Sequence, residues 1–136
     1  MKRSFSLTAA SGFLALAAGL APAMTFSPVE LARREAARRG ALVALDFYTD
    51  WCGWCRVSDR AVYPDPAVRR ELDRTVFLRL DAEGEGADAA RRYRVDGFPT
   101  IVFVDPRGGE VGRIRGFYPA PQFAARAHAI LDAVRP

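Results

Sequence analysis

Apolar positions change period repeatedly along this chain, from helical spacing to short continuous runs of strand type, and Gly, Pro or Asp marks each change. Ser27, Pro28 and Glu30 predict a helix start: Ser27 as N-cap, Pro28 at the first helical position and Glu30 completing a capping box. Phe26 and Leu31 are spaced for a hydrophobic staple, and the helix is predicted to run to about Arg39 and stop at Gly40. Residues 41–48 form an apolar run of strand character, and Arg56 to Val62, free of Gly and Pro, is compatible with a helix. Tyr63-Pro64-Asp65-Pro66 breaks that pattern; Asp65 then caps a short helix with Ala67, Val68 and Leu72 on its inner face. Thr75 to Asp81 reads as a second strand, Glu83-Gly84-Glu85-Gly86 as a polar loop, and about Ala87 to Tyr93 as a small helix. Thr100 to Val104 is the most β-like run, and the turn at 105–109 joins it to Glu110–Arg115 as an antiparallel hairpin. Phe123, Ala127, Ile130, Leu131 and Val134 recur at helical spacing and predict a terminal amphipathic helix.

This order predicts an α/β fold with a central mixed sheet and helices on both faces, the strands at 41–48 and 76–81 pairing in parallel. Of 136 residues 50% are hydrophobic, enough for the core of one domain. Lys2-Arg3, the apolar stretch 13–20 and Ala21-Pro22-Ala23 have the order of a secretory leader, so residues 1–23 are read as a signal peptide and 24–136 as the domain. The apolar stretch is well short of the roughly 20 residues that span a bilayer. Export is therefore expected, to the periplasm if the source is Gram-negative. Lys2-Arg3-Ser4-Phe5 also resembles a twin-arginine signal, with Lys at the first arginine. The net charge of +4 owes Lys2 and Arg3 to the leader, and the other arginines are scattered in pairs among acids. That is the pattern of a solvated helix face, and no nucleic-acid partner is expected.

The only two cysteines, Cys52 and Cys55, end the first strand and open the following helix. Unpaired N–H groups and the dipole of a first helical turn favour a thiolate at Cys52, and Cys55, one turn further in, can close back on it. A bridge across two residues constrains the unfolded chain little, so the pair is better suited to opening and closing than to stapling the fold. Haem attachment would need His where Arg56 stands, and a zinc site would need ligands beyond the distant His128, which is expected on the surface. A copper or other metal-binding chaperone is the main alternative, since exposed thiolates bind soft metals, although only Met24 remains after the leader to assist. A binding module with a static disulfide is a third reading.

Asp46-Phe47, Trp51-Cys52-Gly53-Trp54-Cys55, Gly97-Phe98-Pro99-Thr100 before a strand, and Gly116 after the hairpin together resemble the thioredoxin superfamily. The resemblance is strongest to exported thioredoxin-like proteins and to the C-terminal domains of membrane thiol-disulfide interchange proteins. It implies a thioredoxin-like fold and a thiol-disulfide oxidoreductase whose redox group is the Cys52–Cys55 disulfide, with no metal or further cofactor. By the same resemblance Cys52 attacks, Cys55 resolves, and Asp46 takes the proton from the resolving thiol. Pro99 is implied to be cis, to face the dithiol and to dock substrate, with Phe98 beside it contacting substrate; Trp54, either a surface aromatic or partly buried packing, is expected to contact substrate. Arg79 falls where relatives carry a Lys close to the Asp. Trp54 replaces the Pro of the best-known thioredoxins, and this pair of residues tunes redox poise. The expected partners are protein disulfides and a membrane thiol-disulfide electron donor, with the chain acting as a monomer and a reductase; a disulfide oxidant is the redox alternative. Trp51 is expected to pack.

Overall fold

The computed structural model describes residues 25–134, so the leader read over 1–23 lies outside the described residues. Helix α1 (Pro28–Arg39) begins where the Ser27 hydroxyl accepts the Glu30 N–H and ends at Gly40, in the left-handed region at φ 61°. The N–H groups of Gly40 and Ala41 close back on Ala37 and Ala36, a Schellman ending that uses the Ala41 N–H and starts strand β1 at Leu42 rather than Ala41. The expected staple is replaced: Leu31 is 53% exposed, and the Arg34 guanidinium lies 3.6 Å from the centre of the Phe26 ring.

After β1 (Leu42–Tyr48) come α2 (Gly53–Ala61), α3 (Pro66–Leu72), β2 (Thr75–Asp81), α4 (Ala87–Arg92), β3 (Thr100–Val104), β4 (Glu110–Arg115) and α5 (Ala120–Ala133). The Asp65 carboxylate caps α3 by accepting the N–H groups of Ala67 and Val68. Both proline-led helices start as the sequence predicts, because Pro at the first position gives up a hydrogen bond that the helix never makes there.

The strands form one sheet in the order β2-β1-β3-β4, with β1 parallel to β2 and antiparallel to β3, and β3 antiparallel to β4. Side chains alternate between the faces. Val43, Leu45 and Phe47 of β1 meet Ala32 and Ala36 of α1 and Ala90 of α4 in one core. Ala44, Ile101, Phe103 and Ile114 meet Val68 and Leu72 of α3 and Phe123, Ala127 and Leu131 of α5 in the other. Each fully buried Leu or Phe contributes about 1.5–3 kcal/mol, so the two layers supply most of the drive to fold. Val134 departs from the expected inner face and is 40% exposed, because α5 ends at Ala133. Asp46 falls on the second face, 1% exposed, where the strand period calls for an apolar side chain.

Candidate active site

The end of β1 delivers the chain to a tight turn in which the Cys52 N–H donates to the Thr49 carbonyl at 3.2 Å. The Arg56 guanidinium holds the same turn through the Asp50 carbonyl at 2.6 Å. Cys52 is the N-cap of α2 and the helix begins at Gly53, so the dithiol opens the helix as the sequence predicts. Cys52 Sγ accepts the Cys55 N–H at 3.1 Å. Cys52 and Cys55 form a disulfide with Cα atoms 5.3 Å apart, and both residues are buried. An N–H aimed at sulfur from the first turn of a helix stabilises negative charge there once the bond is opened.

Beneath this helix lies a charged network on the second face of the sheet. Asp46 stands opposite Arg79 in the parallel β1–β2 register. Arg79 Nε donates to Asp46 Oδ2 at 2.9 Å, and the Tyr63 hydroxyl donates to Oδ1 at 2.9 Å. Arg79 Nη2 also lies 3.0 Å from Asp59 Oδ1 on α2, an ion pair without a well-aligned hydrogen bond. Burial pushes the Asp46 carboxyl up from its ordinary 3.8 to about 6, against the Arg79 charge and the hydrogen bonds from Tyr63 and Arg79. Burial, reinforced by the Asp46 charge, lifts the Tyr63 hydroxyl well above its ordinary value, so it stays a donor. The Asp46 carboxyl can therefore take up or release a proton not far below neutral pH.

Aromatic rings flank the disulfide. Trp54, 59% exposed, stacks on Phe117 with centroids 4.8 Å apart. Trp51 is more exposed than the packing expected of it, at 63%. Its ring meets the edge of Phe98 at 5.8 Å, and its indole N–H donates to Glu83 at 2.9 Å. The Phe98–Pro99 peptide bond is cis, Pro99 is buried and Phe98 is half-buried.

Sequence reasoning missed Tyr63, Asp59, Phe117 and Glu83. Asp59 had a signal, since it lies one helical turn after Cys55, whereas Tyr63 and Phe117 reach the site only through the fold. His128 is largely exposed, between Glu71 and Asp132. Among the described residues no group of three or more His, Cys, Asp or Glu is arranged to hold a metal ion.

The thioredoxin-like domain family matches residues 29–131. The thiol:disulfide interchange protein DsbD of Cronobacter sakazakii (strain ATCC BAA-894) is 40% identical over 104 residues, covering 73% of this chain and 18% of that relative. DsbD of Yersinia pestis (strain Pestoides F) is 35% identical over 109 residues, covering 74% and 18%. The chain thus spans about a fifth of the length of the curated relatives it matches. The solution structure of a thioredoxin from Thermus thermophilus superposes with a TM-score of 0.68 at 35% identity, covering 76% of this chain and 83% of that one. The oxidised C-terminal domain of Neisseria meningitidis DsbD shares the fold, with a TM-score of 0.63 at 23% identity over 73% of this chain and 89% of that one. With a helix-capping dithiol on a four-stranded mixed sheet, and a family match across nearly all the described residues, the chain belongs to the thioredoxin-like domain family and carries the Cys52–Cys55 pair of a thiol-disulfide oxidoreductase.

Proposed function

We propose that the protein is an exported reductase of protein disulfides, kept reduced by a membrane thiol-disulfide donor. One observation carries the reading: Cys52 Sγ, at the N-cap of α2, accepts the Cys55 N–H and is bonded to the only other cysteine in the chain. In the reduced form the Cys52 thiolate attacks one sulfur of a partner disulfide, forming a mixed disulfide and expelling the other partner sulfur as thiolate. Cys55 then gives its proton to the Asp46 carboxylate and attacks Cys52 Sγ, which releases the second partner sulfur and leaves the Cys52–Cys55 disulfide. Two electrons pass to the partner. A carboxyl titrating at about 6 is ionised at neutral pH and still basic enough for this transfer. Phe98 and Pro99 present the docking edge, and Trp54 with Phe117 borders it. The leader pattern at residues 1–23 supports an exported setting, periplasmic in a Gram-negative cell, and the similarity to interchange proteins supports protein partners and a membrane donor.

Cys55→Ser tests this directly. Serine is nearly isosteric but too weak a nucleophile to displace sulfur, so the variant should accumulate mixed disulfides on Cys52 that reductant dissolves. Cys52→Ser should accumulate none. Non-reducing gels and mass spectrometry of exported fractions read the result; equal trapping by both variants, or none by either, would sink the assignment.

A further inference from the structure

A groove of about 510 Å³ runs beside β4, lined by Arg92, Arg94, Arg113 and Arg115 together with Tyr93 and Glu110. These arginines come from the end of α4, the following loop and β4, and the fold gathers them on one side of the sheet edge. Arg113 is tied down, donating to both Glu110 oxygens at 2.6 Å and to the Tyr93 carbonyl at 2.7 Å. Among the described residues Arg115 makes a single ion pair, with Asp96 at 3.8 Å, and both side chains are well exposed. Among the described residues no carboxylate pairs with Arg92 or Arg94. At the hairpin end Arg92 converges with Arg33 over Gly108, where a built Cβ would stand 3.2 Å from each guanidinium. Basic residues closing α4 complement its dipole, which accounts for Arg92 but not for cations on a loop and a strand.

Among the described residues the strand beneath these charges, β4, pairs only with β3, which leaves its other edge for another strand. Arg113 and Arg115, two residues apart, share a face of it. Arg115 stands opposite Thr100, the residue after Pro99, so a segment laid along β4 leads toward the dithiol. The groove is open to solvent, so a chain can enter it from outside.

We propose that this groove docks an extended acidic segment of the partner protein, its backbone adding to the β4 edge and its alternate carboxylates meeting Arg92, Arg94 and Arg115. The consequence for partner choice rests on the oxidoreductase reading; the docking does not.

Fluorescence anisotropy of a labelled, cysteine-free peptide alternating Glu and Thr tests the docking on the intact chain, with the Gln-for-Glu peptide as control. The Glu peptide should bind and the Gln peptide should not. Arg92→Gln/Arg94→Gln/Arg115→Gln, shown to be folded by thermal unfolding, should weaken binding roughly tenfold, as the sum of several surface charge contacts. Salt should weaken binding in the same direction. Equal binding of the two peptides, undiminished binding by the triple variant, or tighter binding of a single-stranded DNA of equal charge overturns the proposal. A second arm compares reduction of two cystine peptides that carry the same tails. The native chain should prefer the acidic tail several-fold, and the triple variant should lose that preference. Exchange without preference removes the groove from partner choice and leaves the dithiol chemistry standing. No exchange of either cystine peptide, with charge-dependent anisotropy retained, removes the oxidoreductase reading and leaves the groove.

Discussion

In the proposed reaction Asp46 is the residue at which stability and chemistry pull apart. The folded chain holds its proton more tightly than the unfolded chain does, since burial raises the carboxyl from 3.8 to about 6. Its contribution to stability is therefore fully present below about pH 4 and is lost as pH rises through about 6, a difference on the order of 3 kcal/mol. Asp46→Asn should remove that slope and stabilise the fold at pH 7 by on the order of 1–2 kcal/mol, less than the full amount because Tyr63 and Arg79 donate to different oxygens and the amide nitrogen that replaces one of them cannot accept. Urea unfolding at pH 4 and pH 7 checks it; an unchanged pH slope would mean that the carboxyl titrates alike in both states. The same variant should slow resolution by Cys55 more than attack by Cys52 in stopped-flow exchange, and equal slowing would make Asp46 a packing residue. Asp46 was legible in the sequence as a carboxylate within an apolar run. Its relation to Arg79 becomes firm only with the register that sets them side by side, and the Tyr63 hydrogen bond joins residues 17 apart, so the local pattern that marks the turn after α2 does not show it.

At the scale of elements, caps and prolines proved more informative than hydrophobic spacing. Ser27, Pro28, Asp65 and Pro66 mark their helices because each satisfies or removes an N–H locally. The start of β1 is one residue late because a neighbouring carbonyl claims a backbone partner that composition does not show, whereas α2 opens at the dithiol as expected. Ala41 gives its N–H to Ala36, and Cys52 itself caps α2. How closely α5 approaches the sheet was also invisible, since it is set by a missing side chain. At Gly112 a Cβ would come within 2.9 Å of Ile130, so β4 and α5 meet there without a spacer. Gly112→Val should push α5 off the strand and cost about 1–3 kcal/mol, seen as a lowered urea midpoint. A midpoint at or above the native value would show that Ile130 yields freely.

For the molecule as a whole, the parallel pair and the terminal hairpin could be read from segment order, whereas the central β1–β3 pairing and the gathering of arginines beside β4 could not, because both join segments distant in sequence. Redox state and folding are linked at this scale. A reductase is a protein whose disulfide form is the more stable, and each 30 mV of potential corresponds to about 1.4 kcal/mol. The oxidised chain should therefore survive higher urea than the reduced one, and the reverse order would mark an oxidant. The choice of probe for such a comparison follows from where the indoles lie. The chain has two tryptophans, Trp51 just before Cys52 and Trp54 between the two cysteines, both largely exposed. Tryptophan emission is thus an optical report from the rim of the dithiol alone. It will brighten or dim with opening of the sulfur bridge or arrival of a partner while both cores stay folded, and melting of those cores has to be followed by circular dichroism.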